Sequence, residues 1–199
     1  MDAIKRITNF LFELNEQKRT PRNGWHRAGV KDPESVAEHV AVCAQISYLL
    51  AVMEGVNAEH AAALALFHDT AEVREGDNDW VTRIYRVSEK KDNAATAQAD
   101  GLPVSAALAS AQKELHELQT NEAVIVKDAD LLEMALQARV YEQSGYQSAR
   151  LYLESAHGSL KTDSAKKLFA AIEQGNIQDW WLAIPEIAAI ASKLFKNNK

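Results

Sequence analysis

The stretch Ala61-Ala62-Ala63-Leu64-Ala65-Leu66-Phe67-His68-Asp69-Thr70-Ala71-Glu72-Val73-Arg74-Glu75-Gly76-Asp77 sets an unbroken apolar run beside a cluster of polar side chains. Its first seven residues are apolar, and within the next ten positions five side chains can bind metal ions or protons. A helix that is apolar on all sides lies in a protein core, and burying the adjacent His68 and Asp69 costs free energy unless something compensates them. A metal ion is one such compensation, so the stretch predicts a core helix with metal-binding side chains at its inner end.

Helix geometry relates three of these side chains to one another. Neighbouring residues on a helix lie about 100° apart, so His68 and Asp69 can both lean toward one ion, and Glu72 lies one turn beyond His68. A His-Asp pair is common by chance, and two side chains do not make a metal site. The prediction therefore depends on further ligands elsewhere in the chain.

The composition is that of an ordinary soluble globular protein. The 199 residues are 47% hydrophobic and 25% charged, which allows one sizeable core, so we predict a single domain over residues 1–199. The net charge of −6 provides no basic field for a nucleic-acid backbone. We therefore expect no polymeric nucleic acid among its partners.

Cysteine usage and hydropathy bear on the compartment. Cys43 is the only cysteine, which excludes an intrachain disulfide and a thiolate-rich zinc site and favours a reducing compartment. No run reaches the about eighteen uninterrupted apolar residues of a membrane span, and the N-terminus lacks the plan of a signal peptide. We expect a cytoplasmic protein with no membrane partner.

Periodicity and capping residues predict helices throughout the chain. Apolar residues recur at spacings of three and four from Ile4 to Leu14, and no segment reads as a strand. We predict an all-α fold of roughly eight to ten helices. They include residues 33–53 with a cap at Asp32, 57–76 with a cap at Asn57, 105–118, 121–144, 147–156, 162–174 and a last helix that starts at Pro185. Further expectations are an exposed segment at 90–102, an inward Trp80, and Trp180 and Trp181 covering the core.

A loop at residues 17–31 separates the first two long helices. Pro21, Gly24 and Gly29 prevent a continuous helix there. Five cationic residues surround a single tryptophan, Trp25, and they are Lys18, Arg19, Arg22, Arg27 and Lys31. A long ordered loop in a compact domain is often functional, so one interpretation is that the cations hold a phosphate while Trp25 stacks on a base. The alternative is a solvated connector with Trp25 filling the core.

Further metal ligands are available on two other predicted helices. His39 follows Glu38 among apolar residues, and Asp128 and Asp130 interrupt a helix that is otherwise core-facing. Two histidines and two aspartates, namely His39, His68, Asp69 and one of Asp128 or Asp130, form a set that suits Mn, Co, Fe, Zn or Ni better than calcium. An octahedral ion would keep two positions open for water and a substrate oxygen, which is the arrangement for metal-assisted hydrolysis.

Four stretches together resemble a known family. They are Pro-Arg-Asn-Gly-Trp at 21–25, Pro-Glu-Ser-Val-Ala-Glu-His at 33–39, His-Asp-Thr-Ala-Glu-Val-Arg-Glu-Gly-Asp at 68–77 and Val-Lys-Asp-Ala-Asp at 126–130. They resemble the HD-domain metal-dependent phosphohydrolases, and within these the 5'-deoxynucleotidase branch, over about residues 5–145. The resemblance implies an all-α HD domain, a divalent transition metal, a homodimer, and hydrolysis of (deoxy)ribonucleoside 5'-monophosphates to nucleoside and phosphate.

The resemblance also implies roles for individual residues. The metal ligands would be His39, His68, Asp69 and Asp130. Glu72 would correspond to the family's catalytic acid, Asp77 to the acid near the sugar and water, and Trp25 to the aromatic beside the substrate. Some members carry an arginine directly before the tryptophan, where this chain has Gly24, so Arg22 and Arg27 are the candidates for binding the phosphate.

Two other functions compete with this interpretation. One is the same site acting on another phosphorylated nucleotide, such as a hyperphosphorylated guanine nucleotide, but those relatives usually have Glu-Asp where this chain has Glu72-Val73. The other is a metal-binding helical scaffold without catalysis. A purely structural ion would not need Glu72 and Asp77, so their presence favours an enzyme.

Overall fold

The computed structural model describes residues 2–85 and 91–196, with the side chains of 2–85 and 94–192. All regular structure in these ranges is helical, apart from one isolated antiparallel bridge between Pro21 and Ser35. The α-helices are α1 (Ala3–Glu16), α2 (Gly24–Arg27), α3 (Val36–Glu54), α4 (Ala58–Leu66), α5 (Glu72–Glu75), α6 (Trp80–Tyr85), α7 (Lys91–Ala99), α8 (Ser105–Glu117), α9 (Asn121–Gln143), α10 (Arg150–His157), α11 (Asp163–Gln174), α12 (Asp179–Leu182) and α13 (Pro185–Lys196). The all-α prediction is confirmed, and helices of four to six residues raise the number above the eight to ten predicted.

The longest helix, α9, is the centre of the fold. It packs against α3, α4, α8, α10 and α11. Ile125, Val126 and Leu132 of α9 are buried together with Leu153 of α10 and Phe169 of α11. Because α9 is enclosed on several sides, any polar side chain on it needs a partner inside the protein.

Helix α3 begins three residues later than predicted, at Val36. Its cap is Ser35 rather than Asp32, and Ser35 and Glu38 form a capping box in which each side chain accepts from the other residue's backbone N–H. This reciprocal pair satisfies two of the unpaired N–H groups at the helix start. Gly55, at φ 72°, ends the helix as predicted.

The apolar helix α4 ends at Leu66, so the single helix predicted from Asn57 to Gly76 is wrong beyond that point. A turn follows at 67–71, and then the short helix α5. The turn leaves carbonyl groups without helical partners, and distant side chains bind them: Gln112 donates to the Phe67 carbonyl at 2.8 Å and Gln98 donates to the Thr70 carbonyl at 3.1 Å. The His-Asp pair therefore lies in a turn and not on a helix.

Three further expectations need correction. Residues 91–99 form α7, and the segment predicted to be exposed is only partly so, because Gln98 and Leu102 are buried. Trp80 is 43% exposed and Trp180 is 75% exposed, so neither fills the core as expected. Part of the helix predicted after Trp80, including Val87, lies outside the described residues.

Among the described residues, α3 alone is long and apolar enough to cross a membrane, with 19 residues and a mean hydropathy of 1.6. Its apolar run is interrupted by Glu38, His39, Gln45 and Ser47. Of the 18-residue window concerned, 44% is buried inside the protein, and α3 packs against α4, α9 and α11. Core helices of soluble proteins have the same length and composition, so α3 is a weak indication of a membrane span.

Candidate metal centre

The Nε2 atoms of His39 and His68 face each other. His39 is fully buried on α3, and its Nδ1 contacts the Glu133 carboxylate of α9. His68 Nδ1 lies 2.7 Å from the Ala65 carbonyl at the end of α4. The two Nε2 atoms lie 3.3 Å apart. Because each Nδ1 has an acceptor, the neutral ring keeps its proton on Nδ1, and the Nε2 that faces the space between the rings is the atom that can bind a proton or a metal ion.

Two aspartate oxygens enter the same space. Asp69 Oδ2 lies 3.2 Å from His68 Nε2 and 3.6 Å from His39 Nε2. Asp130 Oδ1, from α9, lies 3.3 Å from His39 Nε2. The four predicted ligands thus come from α3, the turn after α4, and α9, and the structure brings them together.

The spacing and charge of this cluster fit a divalent transition metal. Ligand bonds of about 2.0–2.2 Å at 90–110° put neighbouring donor atoms about 3–3.5 Å apart, which matches these distances. Burial lowers the pKa of His39, but bonds to Asp130 and Glu133 outweigh it and raise that pKa to about 10. Burial likewise opposes ionisation of Asp130, yet His39 and Lys127 lower its pKa well below the usual range. The cluster therefore attracts positive charge, and its nitrogen and carboxylate donors suit the metals predicted.

Cys43 lies close to the two histidines but is a poor ligand. Its sulfur lies within 4.8 Å of a ring nitrogen of His39 and of His68. Burial, helped by the negative charges of Asp130 and Asp69, raises the thiol pKa well above its usual value. A neutral thiol binds metal weakly, so Cys43 is a small buried side chain and not a ligand.

Asp128 faces away from the cluster and has a different task. Its carboxylate accepts from the backbone N–H of Lys161 at 2.9 Å and from both the backbone N–H and the hydroxyl of Thr162 at 2.7 Å. These bonds fix the turn that leads into α11, and Asp128 is fully buried. Of the two aspartates that the residue pattern left open, only Asp130 approaches the histidines.

We expect Asp128→Ala to lower the free energy of unfolding by roughly 2–4 kcal/mol, because it leaves buried donors without an acceptor. The measurement is urea unfolding of the variant and the wild type. The matched comparison is Asp130→Ala, which should lose metal affinity instead. An Asp128→Ala protein of unchanged stability that binds no metal would reverse the two assignments.

Arg22 lies at the centre of three acids beside the metal cluster. Its Nη1 is 3.2 Å from Asp69 Oδ2, 3.4 Å from Asp77 Oδ1 and 3.8 Å from Glu72 Oε2. Asn23 positions the same segment, since its amide donates to the Asp77 carbonyl at 2.9 Å. The predicted phosphate-binding arginine and the two predicted catalytic acids are therefore neighbours.

Glu72 differs from the other acids of the cluster. Its Oε2 is buried and accepts no hydrogen bond. Burial, followed by the charges of Asp69 and Asp77, raises the pKa of Glu72 to about 9, against the opposing effect of Arg22. A buried carboxyl with an unused oxygen beside the predicted metal ligands is a candidate for proton transfer.

Trp25, another predicted substrate residue, is buried among aromatic side chains. Trp25 is 3% exposed, contacts Tyr141 and Tyr152 at ring distances of 5.1 and 4.9 Å, and donates from Nε1 to Glu34 at 2.9 Å. Its indole has no exposed face for a base, which favours the alternative that Trp25 fills the core. Its role beside the substrate stays a prediction.

Arg27 lies outside the acidic cluster. Its side chain is 55% exposed and pairs with Asp79 at 3.3 Å, and Asp79 in turn accepts from the backbone N–H of Val81 and Thr82 at the start of α6. Of the two arginines proposed for the phosphate, Arg22 is the one beside the predicted metal ligands.

Sequence reasoning missed two charged neighbours of the ligands. Glu133 holds the Nδ1 of His39, and Lys127 Nζ contacts Asp130 Oδ2 at 2.7 Å. Both lie three residues from Asp130 on α9, one before and one after it. A spacing of three residues places side chains on the same helix face. This spacing in the sequence indicates that Lys127 and Glu133 are neighbours of Asp130.

Comparison with known proteins agrees with the fold and gives the family. A family model described as HD domain matches residues 14–173. 5'-Deoxynucleotidase HDDC2 of Bos taurus is 31% identical to this chain over 188 residues, which cover 86% of each chain. 5'-Deoxynucleotidase hdd1 of Schizosaccharomyces pombe is 32% identical over 156 residues, which cover 72% of this chain and 77% of the relative. A conserved hypothetical protein from Pyrococcus furiosus shares the fold with a TM-score of 0.70 and 28% identity, over 84% of this chain and 99% of that one. The resemblance predicted from the motifs is thereby confirmed, and this chain belongs to the HD-domain phosphohydrolase family.

Proposed function

We propose that this protein is a metal-dependent 5'-deoxynucleotidase-like phosphomonoesterase that hydrolyses (deoxy)ribonucleoside 5'-monophosphates to nucleoside and phosphate. The observation that carries the proposal is the convergence of two imidazole nitrogens and two carboxylates beside one arginine and two further acids. Two relatives that align with most of their length are named 5'-deoxynucleotidase, which supports the substrate class. We also propose that it acts in the cytoplasm, as a homodimer and as a single domain.

His39, His68, Asp69 and Asp130 would hold the ion, which is Co, Mn, Zn, Fe or Ni. When bound, such an ion polarises a phosphoryl oxygen and lowers the pKa of a water molecule beside it. The chain itself orients the imidazole ligands through the Glu133 carboxylate and the Ala65 carbonyl. Ligands fixed in this way need little rearrangement on binding.

Arg22 supplies the positive charge for the phosphate. It is 13% exposed, and Asp69, Asp77 and Glu72 surround it, so its guanidinium is held in place before the substrate arrives. A planar guanidinium donates two parallel hydrogen bonds to phosphate oxygens. The role that we assign to Arg22 is to bind and orient the 5'-phosphate for in-line attack.

Glu72 Oε2 is the atom that we assign to proton transfer. It lies 3.8 Å from Arg22 Nη1 and accepts no hydrogen bond within the protein, so a proton can pass between this oxygen and an oxygen of the reacting phosphate ester or water. Asp77 accepts from the same nitrogen of Arg22 at 3.4 Å and restrains the arginine. The leaving group is the 5'-oxygen of the nucleoside, which needs one proton.

The direct test is an assay of the metal-stripped protein after re-metallation with single ions. The substrates are the nucleoside 5'-monophosphates in ribo and deoxy forms, a 3'-monophosphate, a small phosphate ester and a hyperphosphorylated guanine nucleotide. We expect phosphate release only with a divalent ion and fastest from the 5'-monophosphates. Turnover of the hyperphosphorylated nucleotide alone, or none with any ion, would contradict the proposal in favour of one of its two competitors.

A further inference from the structure

A cleft extends from the acidic cluster along the start of α6. Residues that line it include Arg22, Trp25, Asp77, Asp79, Trp80, Arg83 and Tyr152. Arg22 and Asp77 belong to the site described above. Trp80 is an aromatic side chain to which neither the metal centre nor the proposed proton transfer gives a role.

Trp80 has one supported face and one open one. Its ring stacks on Tyr152 with centroids 4.4 Å apart and an interplanar angle of 21°, yet the residue is 43% exposed. A planar ring that is covered on one face and still exposed to this extent presents its other surface to solvent. An aromatic face that is open to solvent beside a cleft is a surface on which a planar ligand can stack.

Tyr152 makes this support rigid. Its hydroxyl donates to the Gly24 carbonyl at 2.7 Å, and its ring lies 4.9 Å from that of the buried Trp25. A Cβ at position 24 would lie 3.3 Å from the Tyr152 ring, which is tighter than ordinary van der Waals contact, so the glycine allows the close approach. Trp80, Tyr152 and Trp25 thus form a continuous aromatic series from the cleft into the core.

The backbone that carries Trp80 is fixed as well. Asp79 directly before it accepts from the backbone N–H of Val81 and Thr82 at 2.8 and 3.1 Å, and Arg27 pairs with Asp79 at 3.3 Å. These bonds hold the first turn of α6. Trp80 is therefore an aromatic surface held in position and not a side chain on a free loop.

The charges at the cleft suit a ligand with one anionic end and one aromatic end. Arg83 is one helical turn after Trp80 and lines the same cleft. Arg22 also lines the cleft, so two cations, beside the acids Asp77 and Asp79, are available to a ligand there, while the Trp80 ring remains apolar.

We propose, on the basis of the function proposed above, that Trp80 is the base-binding residue of this chain, with the nucleobase stacked on its open face and the 5'-phosphate beside Arg22. Trp25, which the sequence suggested for this task, supports Trp80 through Tyr152. Every nucleobase has a π-face, so stacking alone tolerates all of them. The inference therefore also predicts weak discrimination among adenine, guanine, cytosine and thymine.

The experiment compares Trp80→Ala and Trp80→Phe with the wild type. We expect Trp80→Ala to raise KM for a deoxynucleoside 5'-monophosphate by about 10- to 100-fold, in line with the loss of one stacked base. KM for a small phosphate ester without a base should stay within about twofold, and Trp80→Phe should recover much of the loss, because its ring still offers a face. The matched control is Trp180→Ala, which removes another exposed tryptophan that does not line the cleft.

A second readout uses no catalysis. The dissociation constants of the four deoxynucleosides, without phosphate, are measured by calorimetric titration of the folded wild type and Trp80→Ala, with circular dichroism as the check on folding. Weaker binding in Trp80→Ala supports the inference. Equal binding, no nucleoside binding by the wild type, or equal changes in KM for nucleotide and small ester would overturn it. A wild type that binds nucleosides through Trp80 but releases no phosphate would instead contradict the proposed function and leave the base site standing.

Discussion

Asp69→Ala is expected to lose bound metal and phosphatase activity together. Its Oδ2 lies 3.2 Å from His68 Nε2, 3.6 Å from His39 Nε2 and 3.2 Å from Arg22 Nη1, so one substitution removes a ligand and a partner of the phosphate-binding arginine. Removing residues that merely support ligands already costs about 10- to 100-fold in metal affinity. We therefore expect a loss of more than about 100-fold for Asp69 itself.

The measurement is metal content by elemental analysis after gel filtration, together with phosphate release. Asp163→Ala is the control, because this aspartate has an 88% exposed side chain at the start of α11 and should keep both metal and activity. His68→Ala should behave as Asp69→Ala does. Full metal occupancy in either cluster variant would show that the ligand set is incorrect.

Helix α4 was predicted correctly from the sequence, but its end point was not. Seven successive apolar residues correctly predicted a helix that packs on the core, since Ala61, Leu64 and Ala65 are buried, but Leu66 is 49% exposed and the helix is not buried on all sides. The end of the helix was placed too late. Gln98 and Gln112 bind the carbonyls of the turn, and these contacts over 28 and 45 residues leave no trace in a local pattern.

The start of α3 shows a different kind of error. Asp32, Pro33 and the pair Ser35 and Glu38 all carry signals for the start of a helix. The capping box satisfies two backbone N–H groups with two side chains, whereas Asp32 alone would satisfy fewer. Local sequence rules therefore predicted the helix correctly but chose Asp32 instead of Ser35 as its cap, so the predicted start lies three residues too early.

The aromatic residues show why the substrate end was harder to predict than the metal end. Histidine and aspartate are common metal ligands, so sequence motifs sufficed to choose His39, His68, Asp69 and Asp130. Their roles as ligands stay predictions. A tryptophan is equally suited to a core or to a cleft. Trp25 is covered by Tyr152, more than a hundred residues away, and the same tyrosine supports the exposed Trp80.

Glu72→Gln is expected to keep the metal and to lower kcat by about 10² to 10⁴, the usual contribution of a general acid or base. The amide keeps the size of the side chain but cannot exchange a proton, and Glu72 Oε2 has no hydrogen-bond partner within the protein whose loss would disturb the fold. KM should therefore change little, and steady-state kinetics together with metal content separate the two effects. Glu75→Gln, three residues later on the same short helix, is the matched control and should retain the wild-type rate. If Glu72→Gln loses its metal, Glu72 is a ligand and proton transfer falls to Asp77. If it retains metal and full rate, the proton-transfer step proposed at this oxygen is wrong.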